Sequence, residues 1–165
     1  MLCYIGVGSN LGDRLGYMRK AVAILRKMPG ILVGKISPIY ETPAEGGPEG
    51  QEDYLNLVAE IETELLPVSL LAILKTVEKK TGRKTRPDRW AAREIDLDIL
   101  LCGSLEIKED GLVLPHPMAQ SRYFVLKPLS DLAPCLVFPG ASKDISAMLA
   151  DGTVLPKGEK FEETL

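Results

Sequence analysis

The stretch from Arg93 to Leu101 constrains the fold more than any other part of the chain. Ile95, Leu97, Ile99 and Leu101 recur at every second position, the pattern of a strand with one buried face. Residues two apart in a strand project from the same side, so Asp96 and Asp98 stand together, roughly 6–7 Å apart along the chain. The apolar neighbours place this strand centrally in a sheet, where unpaired charge is costly. An Asp-x-Asp pair alone is a weak signal, common on solvated edges and in salt bridges. Here it follows Arg83, Lys84, Arg86, Arg89 and Arg93. Hard divalent cations take one or two carboxylates and complete their shell with water and phosphate oxygens. Carboxylates beside guanidinium groups therefore point to a polyphosphate site, with Lys84 and Arg86 the two that a solvated loop would explain best.

The remaining elements order themselves around that strand. Leu2 to Val7 reads as a first strand, closed by Gly8-Ser9-Asn10-Leu11-Gly12, and Asp13 caps a helix with Leu15, Met18, Val22 and Leu25 at helical spacing. Ile31 to Tyr40 is a second strand interrupted near Pro38. Residues 41–53 hold three glycines, two prolines and five acidic side chains, the composition of a surface loop. In 54–63, Leu55, Leu57, Ala59 and Ile61 share one face, and Tyr54, Asn56, Val58 and Glu60 the other. Pro67 opens a second helix with Leu70 or Leu71, Leu74 and Val77 as its stripe, ended by Lys79, Lys80 and Gly82. After the Asp-x-Asp strand, Gly103-Ser104 is read as a hairpin turn with 112–114 as the return strand. A short helix through Phe124 and a last one over 142–150 complete the series. Two strand-helix-strand halves predict an α+β ferredoxin-like sandwich: an antiparallel sheet with helices on one face, extended by a C-terminal hairpin and helix.

With 165 residues the chain is long enough for one domain with a real core, read here as 1–165 with a core over 2–138 and a tail over 139–165. A net charge of −3 argues against nucleic-acid and membrane-surface binding. Cys3, Cys102 and Cys135 are odd in number and far apart, the pattern of reduced cytosolic thiols. No signal peptide or bilayer-spanning run is evident, so a cytoplasmic protein is expected; separately, a monomer is expected.

Other chemistries lack their residues. In Gly6-Val7-Gly8-Ser9-Asn10-Leu11-Gly12 the third glycine of a dinucleotide fingerprint would fall on Leu11, and no Walker P-loop exists. His116 is the only histidine, which leaves zinc and serine-triad sites without partners.

Taken together, several short motifs resemble the hydroxymethyldihydropterin pyrophosphokinase family. They are Gly8-Ser9-Asn10-Leu11-Gly12, Tyr40-Glu41-Thr42-Pro43, Asp53-Tyr54-Leu55-Asn56, Gly82-Arg83, Arg89-Trp90, Arg93-Glu94-Ile95-Asp96-Leu97-Asp98, Pro115-His116-Pro117 and Arg122-Tyr123-Phe124-Val125-Leu126. Each is weak alone, and the ordered set is specific. The resemblance implies transfer of the β,γ-diphosphate of ATP to 6-hydroxymethyl-7,8-dihydropterin, a step of folate biosynthesis. It implies two Mg²⁺ ions on Asp96 and Asp98, with Arg83 and Arg93 neutralising the phosphates as catalytic groups. Leu71, Glu78, Arg89, Trp90, Ile99, His116 and Arg122 would serve ATP with Arg93. Thr42, Pro43, Tyr54, Asn56, Trp90 and Phe124 would hold the pterin. No residue stands out as a general base, so the alcohol is expected to lose its proton through metal coordination and solvent. Thr85, Ala92 and Glu45-Gly46-Gly47 depart from the family pattern and bear on how the two loops close. Two other classes remain open at this point: a ligand-sensing ferredoxin-like module without turnover, and an Mg²⁺-dependent nucleotidyltransferase.

Overall fold

The computed structural model describes residues 1–86, 90–155 and 157–165. Its main sheet is antiparallel throughout and runs β5–β1–β4–β3–β8, with β2 also paired to β4. These strands are β1 (Leu2–Ser9), β2 (Ile31–Ile36), β3 (Tyr40–Thr42), β4 (Tyr54–Thr63), β5 (Asp96–Cys102) and β8 (Glu159–Lys160). Helices α1 (Arg14–Leu25) and α2 (Pro67–Thr81) cover one face. Together they make the ferredoxin-like sandwich, with β2 and β3 sharing the place of a single strand.

That shared place has a local cause. Pro38 has no N–H for the ladder, and Ser37 bridges the gap. Its backbone donates to Val58 O at 2.9 Å, and its hydroxyl accepts from Val58 N at 2.9 Å. The helix signals hold too. Asp13 accepts from Gly16 N at 3.0 Å, and Pro67 begins α2. Gly82, at φ +125°, ends it.

Cys3, Ile5, Leu55, Ile61 and Leu97 form the centre of the α1–α2 side. A second apolar cluster lies on the opposite face. There Tyr4, Val58 and Leu100 meet α3 (Tyr123–Leu132) and α4 (Ile145–Ala150). No helix among the described residues is long and apolar enough to cross a membrane.

Four expectations need correction. The Asp-x-Asp strand β5 is an edge strand, paired only to β1 among the described residues, and two α2 side chains and one loop N–H rather than a further strand satisfy its free edge. Leu97 N donates to Glu78 Oε1 at 2.8 Å, Lys75 Nζ donates to Leu97 O at 3.0 Å, and His116 N donates to Leu100 O at 2.8 Å. The hairpin is β6 (Ile107–Glu109) with β7 (Leu112–Leu114), turned at Asp110-Gly111. An Asp-Gly pair is the stronger turn signal than Gly103-Ser104. Phe124 stands near the start of α3, after a 3₁₀ turn at Ala119–Ser121, not at the end of a helix. Finally, sequence separation argued for reduced thiols, yet Cys3 and Cys102 form a disulfide. They are register partners on β1 and β5, so 99 residues of separation end in direct opposition. Cys135 is free and exposed.

Candidate active site

The face of the sheet opposite α1 and α2 carries a cleft of about 970 Å³. Its floor follows from the strand register. Gly8 lies between Asp96 of β5 and Asn56 of β4, and Gly6 lies between Asp98 and Val58. A Cβ on Gly8 would sit 3.1 Å from Asn56 Oδ1. The two glycines therefore keep the floor low where larger residues would fill it. This gives the Gly6-x-Gly8 spacing a physical reason unrelated to a dinucleotide fold.

One set of cleft residues is charged. Asp96 accepts from Arg83 Nη1 at 2.5 Å through one oxygen and from Arg93 Nη1 at 3.0 Å through the other. Asp98 is more open, its side chain 46 % exposed, with Lys75 Nζ 3.6 Å away. Arg83 is aimed by the end of α2: its backbone N donates to Glu78 O at 3.0 Å and its guanidinium reaches Glu78 Oε1 at 2.6 Å. Arg93 is fixed from behind by Asn10, whose Oδ1 accepts from Arg93 N at 2.9 Å. His116 faces the same region. Burial pushes its pKa below the ordinary value and Arg122 acts in the same direction, opposed by Asp98 and Asp96. Its Nδ1 accepts from Met118 N at 3.2 Å, which leaves the proton of the neutral ring on Nε2. Arg122 has a buried Nε with no hydrogen-bond partner among the described residues, and it forms an ion pair with Glu45 Oε2 at 3.8 Å. Its guanidinium also lies 5.3 Å from the centre of the Phe124 ring.

A second set is aromatic and amide-bearing. Asn56 Nδ2 donates to Thr42 Oγ1 at 3.0 Å, and both residues are buried. Pro43, Tyr54 and Phe124 line the same wall. Burial raises the Tyr54 pKa above its ordinary value, with Arg93 opposing. Above the cleft the two loops meet. Gln51 Nε2 donates to Trp90 O at 3.1 Å, and Asn10 Nδ2 donates to Gln51 Oε1 at 3.2 Å. Gly47 has φ +86°, and a Cβ there would come within 2.5 Å of Trp90 O. The Gly46-Gly47 departure thus lets the loops approach each other.

Thr42, Pro43, Tyr54, Asn56, Leu71, Arg83, Trp90, Arg93, Asp96, Asp98, Ile99, His116, Arg122 and Phe124 all line the cleft. Glu78 does not: it is buried behind the wall, where it serves Leu97 N, Lys75 and Arg83. Arg89 lies outside the described residues. Arg86 is not a solvated loop residue. It grips Glu94 with two hydrogen bonds of 2.8 and 2.6 Å. That pairing, reinforced by backbone N–H groups, holds the Glu94 carboxyl at about 2 against the opposing effect of burial. Sequence reasoning also missed Asn10 and Gln51 as connectors. Neither carries a charge or sits on an amphipathic pattern that would have marked it.

Residues 4–134 match the family model described as 7,8-dihydro-6-hydroxymethylpterin-pyrophosphokinase. The chain belongs to this family. A 2-amino-4-hydroxy-6-hydroxymethyldihydropteridine pyrophosphokinase of Bacillus subtilis is 44 % identical over 131 residues, 79 % of this chain and 77 % of that protein. The Aquifex aeolicus protein of the same name is 40 % identical over 153 residues, 93 % of each. Among solved structures, wild-type Plasmodium falciparum HPPK-DHPS with pteroate superposes with a TM-score of 0.71 at 15 % identity, over 91 % of this chain. The chain spans about two fifths (42 %) of that longer polypeptide, and the likeness shows the fold alone. With the family established, the pyrophosphokinase step in folate biosynthesis is supported. Neither the ligand sensor nor the nucleotidyltransferase is favoured.

Proposed function

We propose that the cleft binds ATP through its charged residues and 6-hydroxymethyl-7,8-dihydropterin through its aromatic and amide-bearing residues, and moves the β,γ-diphosphate from one to the other with release of AMP. The observation that carries this reading is the convergence of both sets of groups on one floor. Asp96, Asp98, Arg83, Arg93, His116 and Arg122 line the same cleft as Thr42, Tyr54, Asn56 and Phe124. Leu71 and Ile99 offer apolar surface for the adenine, and Arg89 is assigned to ATP on the resemblance alone.

The donor set fits Mg²⁺. Asp96 and Asp98 share a strand face, and no cluster of three metal-ligating side chains exists among the described residues. Two carboxylates are what a cation arriving with phosphate oxygens requires. Two Mg²⁺ ions, held by Asp96 and Asp98, would draw charge from the transferring group and lower the pKa of the attacking alcohol. The remaining work falls to this chain's own residues. In the resting site Asp96 pairs with both Arg83 and Arg93; with Asp96 engaged by a cation, both guanidiniums would be released to hold the phosphates. Arg122 Nε, buried and without a hydrogen bond among the described residues, gains a phosphate oxygen. Nε2–H of His116 donates to another. Asn56 and Thr42 read the polar edge of the pterin, and Phe124 and Tyr54 supply planar surface. Trp90, with the 43–53 loop latched to it, excludes water that would waste ATP. Diphosphoryl transfer asks for positioning and charge neutralisation more than covalent work, and the cleft supplies both. On this reading the chain works in the cytoplasm, as one domain over 1–165 and as a monomer.

Chromatography of nucleotides and pterins after incubation with ATP, Mg²⁺ and the reduced hydroxymethylpterin tests the reading. AMP formed in step with a diphosphorylated pterin, and only in its presence, supports it. ADP, or AMP joined to the acceptor, contradicts it.

A further inference from the structure

The C-terminal segment lies outside residues 4–134 that match the family, yet it pairs with β3, whose Thr42 lines the cleft. β8 pairs with β3, setting Lys160 opposite Tyr40 and Glu159 opposite Glu41, and Phe161 N donates to Ile39 O at 2.8 Å. Phe161 packs against the main apolar cluster. Beyond it, Thr164 O accepts from Arg19 Nη2 at 2.8 Å, and Glu163 sits 3.5 Å from the same guanidinium. The segment is therefore pinned at both ends, on the sheet and on α1.

Its closest approach is at Gly158. This residue has φ +94°, and a Cβ there would fall 1.9 Å from Glu41 O and 2.8 Å from the Thr42 Cα. Both are backbone atoms, so no side chain could yield to make room. One residue earlier, Lys157 Nζ lies 3.4 Å from Glu45 Oε1, whose other oxygen faces Arg122. Behind Glu41 and Thr42 stands Asn56, held by Thr42 Oγ1.

We infer that residues 157–164 form a strap that positions the pterin wall, with Gly158 as its critical positioning residue. The strap presses on the backbone of Glu41 and Thr42, Thr42 orients the Asn56 amide, and Asn56 meets the pterin. This rests on the assignment of Thr42 and Asn56 to the pterin made above. Among the described residues the strap reaches towards Asp96 and Asp98 only through the Lys157–Glu45 pair, so its effect falls on one substrate and not on chemistry.

Steady-state kinetics on the full chain tests it. Gly158→Val should raise the pterin KM about tenfold, since small displacements of a positioning group cost up to about a hundredfold. The ATP KM and kcat should stay within about twofold. Phe161→Ala, which loosens the strap without a backbone clash, should move the pterin KM in the same direction and decides the matter if Gly158→Val does not fold. A merely structural role would lower the melting temperature without splitting the two KM values. An unchanged pterin KM in a folded variant, or both KM values rising together, overturns the strap. Asn56→Ala separates the two layers. If it raises the pterin KM while the strap variants do not, only the strap fails. If it too leaves the pterin KM alone, the pterin assignment fails and the strap falls with it.

Discussion

On the α1–α2 side of the sheet, Cys3, Ile5, Leu55, Ile61 and Leu97 are buried almost completely. On the other side, the residues next to several of them in sequence are Gly6, Asn56, Asp96 and Asp98, and these line the cleft. The same strands serve both faces. Alternation along a strand lets one face hold apolar volume while the other keeps glycine, amide and carboxylate groups. Changes on the helix side should therefore move stability, and changes on the cleft side should move binding and turnover.

The largest expected effect is on the helix side. Cys3 and Cys102 both belong to its core and close a span of 99 residues. Chain-entropy arguments give such a link about 4–5 kcal/mol. Calorimetry with and without reductant should show a lower melting temperature in the reduced protein, with kcat at 25 °C unchanged. An identical melting temperature would break the comparison at its strongest point. Next, Ile61→Ala should cost about 3 kcal/mol by leaving a cavity among fully buried neighbours. Denaturant titration measures the loss, and the folded fraction should keep its KM values.

Arg86→Gln lies at the rim, where the two roles meet. It strips the main partner from the buried Glu94 carboxylate, at a cost of about 2 kcal/mol. In the native protein Glu94 is held at about 2, below its ordinary value of 4.5. Its contribution is present above pH 4.5 and is lost as pH falls towards 2. The variant should unfold at a higher pH on acid titration followed by circular dichroism. Smallest of all, Gly8→Ala would press a methyl to 3.1 Å from Asn56 Oδ1. Because Thr42 holds that amide, the pterin KM should rise roughly tenfold, about 1.4 kcal/mol, with little change in melting temperature. A rise in the ATP KM instead would shift the pterin wall away from Asn56.

The strands and helices were legible because their signals are local: alternation in 54–63 and 95–101, Asp13 as a cap, Pro67 at a helix start. The Asp-x-Asp face and its arginines were legible for the same reason. What escaped depends on pairing across distance. The β1–β5 register sets Cys3 against Cys102, and side chains of α2 complete the free edge of β5. Arg86 looked solvated because its partner, Glu94, is buried only once the loop folds back. Gln51 and Asn10 carry no periodic or charged signature, and only their contacts reveal them. The strap escaped because a two-residue strand leaves no alternation to read.

The division between the two faces is tested most directly by Asp98→Asn, with kcat and melting temperature measured on the same preparation. Asp98 is the better choice than Asp96, which also neutralises Arg83 and Arg93. Removing a half-exposed carboxylate from beside another relieves repulsion. The melting temperature should therefore hold or rise slightly, while AMP formation falls about 10²–10³-fold, the size of loss typical for one transition-state charge-stabilising group. A folded variant that keeps its turnover, or one whose activity falls only in proportion to its stability, would contradict the assignment of this face to catalysis.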